Sequence, residues 1–312
     1  MIEIGIDVGG TFTDVVLLDR AAGRLEVAKT ASTPKDQSIG ILNGLVRLAV
    51  DPRTISRFAH GSTVATNTVL ERKGAKVALL TTAGFRDLLE IGRTNRSKVY
   101  DMKLTKPAPL VARPLRFEVR QRRFVNGEPA VALDEGDVRA AVEACAAEGV
   151  EAIAICFLHS YLDAADEERA AAIAREAAPS IHVTTSSDVV REYKEYERFS
   201  TAALNAYVMP VMDRYLQRLE SRLSEAGYRE PIEMMKSSGG LMRASTARRY
   251  PVETLLSGPA AGVMGAIHVA ERSGFRNLIT YDMGGTSTDV ALIADGKVTR
   301  TAETRISNLP IK

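Results

Sequence analysis

The sequence has few of the residues on which disulfide-bonded and metal-centred proteins depend. Among its 312 residues are two cysteines, four histidines and no tryptophan. Cys145 lies in an alanine-rich helical pattern and Cys156 in a strand-like apolar run, so the sequence excludes a disulfide framework and a CxxC metal site. Both are predicted to be core thiols. The histidines are scattered without the spacing that zinc ligands need.

An excess of one charge and long apolar runs are also missing. The 41 basic and 39 acidic side chains leave a net charge of +2, too small for a global field that attracts nucleic acid or a membrane surface. No run of about 18 apolar residues occurs, and the opening MIEIGIDVGG is typical of a strand and not of a signal peptide. We therefore expect a cytoplasmic protein that binds neither nucleic acid nor membranes.

The most informative feature is an internal repeat. Residues 7–17 (DVGGTFTDVVL) and 282–292 (DMGGTSTDVAL) agree at eight of eleven positions, and the copies start 275 residues apart. Two copies this distant indicate a duplicated domain, in which each half contributes the same loop to a shared cleft. An apolar run flanks each copy on both sides, which predicts a strand, a tight turn and a second strand.

The residue types of the repeat indicate phosphate binding. Glycines permit positive φ and let backbone N–H groups close around an anion, and threonine hydroxyls add donors. These predicted ligands are Gly9, Gly10, Thr11, Thr13, Gly284, Gly285, Thr286 and Thr288. Asp7 and Asp282 would repel phosphate alone but suit a hydrated Mg²⁺ ion between carboxylate and phosphate. The alternative is an ordinary hairpin with a glycine-rich turn, in which Asp14 and Asp289 bond their own turns.

The two loops resemble the phosphate loops of the actin, Hsp70 and sugar-kinase superfamily. Five further segments resemble the hydantoinase A, 5-oxoprolinase and acetone carboxylase β-subunit family: residues 60–67 (HGSTVATN), 81–87 (TTAGFRD), 91–93 (IGR), 237–240 (SSGG) and 256–262 (LSGPAAG). The resemblance implies an α/β, actin-like ATPase (RNase-H-like) fold with the first lobe and part of the second. It also implies that ATP and Mg²⁺ serve to phosphorylate a carbonyl oxygen of a cyclic amide before ring opening.

The resemblance also implies roles for particular residues and a partner. Asp7 and Asp282 would be catalytic and hold the metal, and His60 would be catalytic, at a strand end where a helix amino terminus favours a polarised carbonyl group. Alternatively, His60 only bonds a neighbouring carbonyl. Arg93, Ser238 and Gly239 would contact the cyclic amide or ketone. The implied assembly is a hetero-oligomer with a hydantoinase B-like subunit. A ketone carboxylase subunit, a nucleotide-gated regulatory module and a small-molecule kinase remain alternatives.

The alternation of helices and strands predicts two lobes. Residues 1–190 would form the first lobe, with an inserted β subdomain at about 85–133, and residues 191–312 the start of the second. Within the insertion, residues 116–125 and a turn at 126–127 predict a hairpin, and a long helix from about 193 to 222 is expected to be interrupted near Pro210. Members of the resembled family continue beyond the second loop, so a truncated sequence, a split gene and a second chain all fit.

Overall fold

The computed structural model describes residues 1–33, 36–95, 100, 102–103, 108–283, 288–299, 304–306 and 309–312. The strands are β1 Ile2–Val8, β2 Phe12–Asp19, β3 Arg24–Ala31, β4 Ile55–Ser62, β5 Val77–Thr82, β6 Arg116–Val119, β7 Arg122–Arg123, β8 Pro129–Val131, β9 Ala152–Cys156, β10 His182–Thr185, β11 Ile232–Met235, β12 Leu241–Arg243, β13 Leu278–Met283, β14 Thr288–Ala294, β15 Lys297–Val298, β16 Thr304–Ile306 and β17 Leu309–Ile311. The helices are α1 Gln37–Arg47, α2 Val64–Leu70, α3 Leu88–Ile91, α4 Glu135–Ala147, α5 Ala165–Ala177, α6 Ser186–Val189, α7 Glu195–Glu225, α8 Ala244–Arg249 and α9 Ser257–Arg272.

The first compact unit contains residues 1–68 and 211–301. Its six-stranded sheet has the order β12-β11-β4-β1-β2-β3, in which β1, β4 and β11 are parallel. Helix α1 packs closely on this sheet, since a Cβ atom at Gly44 would lie 2.3 Å from Val15 Cγ2. Alternating residues of β2 that face α1, including Val15 and Leu17, are fully buried. The strand, turn and second strand that the first repeat predicts are present as β1 and β2.

The same unit contains a three-stranded sheet, β13-β14-β15, which reproduces the first hairpin. Asp7 lies opposite Asp14 in the β1–β2 pair, and Asp282 lies opposite Asp289 in the β13–β14 pair. The repeat therefore forms two hairpins of identical register, as the sequence predicts. One face of the second hairpin is apolar and exposed, with between 61% and 70% of each side chain accessible: Ile279, Tyr281, Met283, Val290 and Leu292. Such a face is typical of a surface that other protein covers.

The second compact unit contains residues 69–210 and 302–312. Its four-stranded sheet, β10-β9-β5-β6, is entirely parallel. Every residue of β5 and β9 is buried, which is why these strands are continuous apolar runs and not alternating patterns. Cys145 and Cys156 are both buried, so the prediction of two core thiols is confirmed, and burial raises the pKa of Cys145 to about 12.

The structure departs from the sequence predictions in three places. The compact units differ from the predicted ranges 1–190 and 191–312, because β11 pairs with β4 and so joins residues beyond 210 to the amino-terminal strands. In the predicted insertion, β6 pairs in parallel with β5, and the turn at 126–127 joins β7 to β8 instead. Helix α7 continues through Pro210, next to the buried side chains of Val208 and Met212. Among the described residues no helix is long and apolar enough to cross a membrane.

Candidate functional site

The predicted phosphate loop lies at one edge of the six-stranded sheet. Because β1, β4 and β11 are parallel, their carboxyl ends share this edge. The segments that follow these strands are the turn at residues 9–11, the residues after Ser62 and the turn at residues 236–240. Ligands of α/β proteins bind at the carboxyl ends of parallel strands. The fold therefore brings the first repeat and the Ser238–Gly239 segment to one edge.

Asp7 occupies a slot between two glycines that come from distant parts of the sequence. Gly61 is its register partner in β4, and a Cβ atom there would lie 3.1 Å from Asp7 Oδ1. Gly258 lies in the first turn of α9, and its Cβ atom would lie 3.4 Å from the same oxygen. Side chains at these positions would crowd the carboxylate, so both glycines keep its surroundings open.

The electrostatic environment of Asp7 is unfavourable to its own charge. Partial burial, followed by the charges of Asp14 and Asp282, raises the pKa of this carboxyl. The side chain is solvent-accessible, but surrounding protein atoms crowd it enough that burial is the largest cause. Asp14 is paired with Lys29 at 3.2 Å, whereas no Lys or Arg pairs with Asp7 in the part of the chain that the structure describes. Like charges placed directly opposite each other destabilise a sheet, and a bound cation would remove that cost.

The second hairpin adds charge to the same place, because Asp282 is close enough to raise the pKa of Asp7. Of the predicted ligands in this hairpin, Gly284, Gly285 and Thr286 lie outside the described residues, and Thr288 is exposed at the start of β14. No group of three or more His, Cys, Asp or Glu side chains could hold a metal within the described ranges. A cation at Asp7 would therefore take most of its ligands from water or a phosphate, as Mg²⁺ usually does in proteins.

The turn after β1 is closed by backbone hydrogen bonds. Gly9 N donates to Phe12 O at 3.0 Å, and Ser32 Oγ donates to Gly9 O at 2.8 Å. Neither Gly9 nor Gly10 has a positive φ, so the turn does not use the positive φ that these glycines permit. The absence of side chains affects the space in the loop. A Cβ atom at Gly9 would lie 3.2 Å from Phe12 O, whereas a Cβ atom at Gly10 would meet no atom within 4 Å. Gly10 thus leaves the outer side of the loop open.

Thr11 and Thr13 take different positions. Thr11 is exposed on the loop, where its hydroxyl is available to a ligand. Thr13 is fully buried, and its Oγ1 lies 3.1 Å from Ser32 Oγ. Direct phosphate binding by Thr13 does not fit this position, because β2 alternates and turns this residue towards α1. Thr13 supports the loop from within through Ser32.

His60 is not at the surface of the site. It lies in β4, two residues before that strand ends at Ser62, and it is 1% exposed. Its Nε2 is 2.5 Å from the hydroxyl of Tyr215, and burial lowers the pKa of His60 to about 4. A neutral, enclosed imidazole contacts no substrate, so the predicted catalytic role does not fit. The strand continues past His60, which therefore does not reach the helix amino terminus that the sequence suggested.

The buried histidine predicts a pH dependence of stability. The unfolded chain binds a proton at His60 below its ordinary pKa of 6.5, whereas the folded protein does so only below about 4. The free energy of unfolding therefore falls as the pH decreases from 6.5 towards 4. Since each pH unit below 6.5 costs about 1.4 kcal/mol, the loss at pH 5 is about 2 kcal/mol. Urea unfolding of wild type, His60→Gln and the exposed-site control His268→Gln at pH 7 and pH 5 measures it. Equal pH slopes in all three proteins would contradict the account.

Two of the three residues predicted to contact substrate, Arg93 and Gly239, form hydrogen bonds within the protein. In the second compact unit, Arg93 makes a bidentate pair with Glu197, with Nε to Oε1 at 2.8 Å and Nη2 to Oε2 at 2.5 Å. In the first unit, Gly239 N donates to Lys236 O in the turn between β11 and β12. Ser238 is exposed in that turn. Substrate contacts of Arg93, Ser238 and Gly239 stay predictions.

No pattern in the sequence indicates that the start of α9 lies beside Asp7. Leu256 has a left-handed backbone (φ 60°), which is strained for a branched side chain, and its N–H donates to Thr66 Oγ1 at 2.9 Å. Ser257 Oγ donates to Ser62 O at 3.2 Å. These bonds attach α9 to the end of β4 and so place Gly258 at Asp7. The segment LSGPAAG (residues 256–262) indicates a functional site only through its resemblance to the family named above, because no local sequence pattern connects it to β1.

Comparison with known proteins gives consistent matches. The family model of the hydantoinase/oxoprolinase N-terminal region matches residues 3–178, and that of hydantoinase/oxoprolinase matches residues 198–312. Caprolactamase subunit alpha of Pseudomonas jessenii is 37% identical over 305 residues, which cover 95% of this chain and 44% of that protein. The 5-oxoprolinase of Saccharomyces cerevisiae is 33% identical over 354 residues, covering 100% of this chain and 27% of that protein.

A solved structure is similar over the same length. The nucleotide-free structure of acetone carboxylase superposes with a TM-score of 0.88 at 29% identity, covering 99% of this chain and 46% of that one. The α/β, actin-like ATPase fold predicted from the two loops is thereby confirmed. The chain spans less than half the length of each of these three relatives.

Proposed function

Because the chain belongs to the hydantoinase/oxoprolinase family, we propose that it forms the ATP-binding part of an ATP-dependent cyclic amide hydrolase. The observation that carries the proposal is the Asp7 slot. Burial and the charges of Asp14 and the duplicated Asp282 raise the pKa of this carboxyl, and among the described residues no Lys or Arg pairs with it. The names caprolactamase and 5-oxoprolinase denote action on cyclic amides. The proposed reaction phosphorylates the amide carbonyl oxygen before the ring opens.

We propose that Asp7 and Asp282 hold a hydrated Mg²⁺ ion. The residues present fit that ion, since the Asp7 and Asp282 carboxylates lie near each other and Gly61 and Gly258 put no side chain beside Asp7, which suits an ion that keeps several waters. When bound, Mg²⁺ would neutralise charge on the phosphates of ATP. Gly10 and Thr11 would receive the phosphates on the open side of the first loop. Residues 284–286 of the second loop are the repeat equivalents of residues 9–11. On the basis of the repeat alone, we propose that they also bind phosphate.

The chemistry needs little from the protein beyond position and charge. An amide carbonyl oxygen carries no proton, so its attack on the γ-phosphorus of ATP requires no general base at the oxygen. A P–O bond forms, the bond to the β-phosphate oxygen breaks, and ADP leaves. Water then adds to the activated carbon, the ring C–N bond breaks, and the nitrogen takes a proton, which leaves an acyl phosphate bridged by the original carbonyl oxygen. A second water attacks the acyl carbon, and the original carbonyl oxygen leaves in phosphate. In sum, ATP, the cyclic amide and two water molecules give ADP, phosphate and the ring-opened amino acid. A buried, neutral His60 is compatible with this scheme.

A second candidate is an ATP-dependent ketone carboxylase subunit. The structural similarity to acetone carboxylase supports it. Both candidates begin with phosphorylation of a carbonyl oxygen and differ in the next step, which is addition of water to the activated carbon in the hydrolase and carboxylation of the activated ketone in the carboxylase. The chain described here contributes the shared first step in either case.

We also propose that the protein works with a hydantoinase B-like partner subunit, in a cytoplasmic hetero-oligomer. The name caprolactamase subunit alpha supports a multi-subunit assembly. The exposed apolar face of β13 and β14 is a further support, because its five large side chains are more than half accessible.

The test of the proposed function is a coupled ADP-release assay on the complete assembly with 5-oxoproline, a lactam, or acetone with bicarbonate. We expect ADP release that depends on a cyclic amide and yields a ring-opened acid. ADP release dependent on ketone and bicarbonate would select the carboxylase. A stable phosphorylated product would identify a kinase, and nucleotide-dependent partner affinity without substrate turnover would identify a regulatory module.

A further inference from the structure

The face of β4 opposite the Asp7 slot contacts a tyrosine for which the proposed reaction has no direct use. Tyr215 is on the carboxyl-terminal half of α7 and is 8% exposed. Its hydroxyl lies 2.5 Å from His60 Nε2, and its ring centroid is 5.8 Å from that of His60. Burial raises the pKa of Tyr215. The hydroxyl therefore contacts β4 at His60.

The geometry of β4 shows what this contact holds. Residue 60 of the strand points to one face and residue 61 to the other. Tyr215 thus contacts β4 on its buried face, at the residue directly before Gly61. Gly61 is the register partner of Asp7, and its Cα position decides how near the strand lies to Asp7 Oδ1. A shift of β4 by a fraction of an ångström would narrow or widen the slot.

The same short segment also anchors the other wall of the slot. The carbonyl of Ser62 accepts from Ser257 Oγ at 3.2 Å, directly before Gly258. Thr63 Oγ1 donates to Val8 O at 3.0 Å, next to Asp7 in β1. The end of β4 is therefore bonded to β1 on one side and to α9 on the other, and both walls of the slot depend on its position.

We infer that Tyr215 is a positioning residue, which through His60 sets the position of the end of β4, and with it the distance of Gly61 and Gly258 from the Asp7 carboxylate, and so tunes divalent cation binding there. This inference rests on the proposed function of Asp7. Partners of a metal ligand that lie beyond its first contacts typically change metal affinity 10- to 100-fold when removed.

The experiment compares Tyr215→Phe with Tyr228→Phe in the complete assembly. Both substitutions delete one buried hydroxyl with a hydrogen bond in the first compact unit; that of Tyr228 donates to Pro231 O. Mn²⁺ binding in the presence of ATP is followed by electron paramagnetic resonance. We expect Tyr215→Phe to weaken Mn²⁺ binding about tenfold and Tyr228→Phe to leave it unchanged, even where both lower the melting temperature. His60→Phe, which removes the ring nitrogen bonded to Tyr215, should act in the same direction if Tyr215→Phe does not fold.

A double mutant separates this inference from the proposed function. If Tyr215 acts through Asp7, adding Tyr215→Phe to Asp7→Asn causes no further loss of Mn²⁺ affinity. Wild-type Mn²⁺ affinity in both Tyr215→Phe and His60→Phe, with affinity lost in Asp7→Asn, would overturn the inference and leave the proposed function intact. Unchanged affinity in Asp7→Asn would overturn the proposed function.

Discussion

Asp7→Asn is expected to abolish Mg²⁺-dependent ATP turnover without unfolding the protein. The substitution keeps the shape of the side chain and removes the charge that would organise the cation, and the loss of one preorganised electrostatic contact costs about 10²- to 10³-fold in turnover. Stability should respond in the opposite direction. Since burial and the charges of Asp14 and Asp282 raise the pKa of Asp7, its ionised form is disfavoured in the folded state at neutral pH. The melting temperature without divalent cations should therefore stay the same or rise.

Steady-state ATP hydrolysis and calorimetric melting in EDTA measure the two effects. Asp295→Asn is a matched control, because it makes the same change at an exposed turn of the first compact unit. The control should keep wild-type turnover. Full Mg²⁺-dependent activity in Asp7→Asn would remove the metal assignment, and a melting temperature many degrees lower would show that Asp7 is structural.

Gly10→Val is expected to reduce ATP affinity about a hundredfold or more, equivalent to about 3 kcal/mol, with little change in stability. No atom lies within 4 Å of a Cβ placed at Gly10, so the folded protein accommodates the side chain. The new methyl groups would occupy the open side of the loop, where phosphate oxygens must approach the backbone N–H groups. Gly10 is a sharper test than Gly9, where a Cβ atom would lie 3.2 Å from Phe12 O and would disturb the turn itself.

Isothermal titration of the complete assembly with a non-hydrolysable ATP analogue gives the affinity. Gly262→Val, at a position in α9 that is equally open, controls for the added bulk and should bind as wild type does. Equal affinities for Gly10→Val and wild type would mean that the loop is an ordinary hairpin turn, the alternative that the sequence left open.

The repeat predicted both hairpins correctly because the spacing of its residues determines how the two strands of each hairpin pair. The same seven-residue separation from Asp7 to Asp14 and from Asp282 to Asp289 fixes the same register in both hairpins. The burial of Thr13 could also have been predicted from the sequence. Val15 and Leu17 are apolar and buried, and residues two apart in a strand point to the same face. The same alternation places the side chain of Thr13 inward, away from phosphate.

The surroundings of Asp7 could not be predicted from the sequence. Gly61 and Gly258 reach the carboxylate through a parallel strand pairing and a tertiary bond from Ser257 to Ser62, and neither leaves a local pattern. His60 was misplaced for a related reason. The sequence showed a polar residue near a strand end, but the extent of β4 and the approach of Tyr215 from α7 are decided by packing.

The central claim is that this chain places ATP for phosphorylation of a carbonyl oxygen, and the fate of that oxygen tests it most directly. A cyclic amide labelled with ¹⁸O at the carbonyl is converted by the complete assembly with ATP, and the phosphate is analysed by mass spectrometry. We predict one ¹⁸O atom in phosphate per ring opened, because the labelled oxygen forms the bond to phosphorus and leaves with it. Unlabelled phosphate, with all of the ¹⁸O retained in the product carboxylate, would contradict the account.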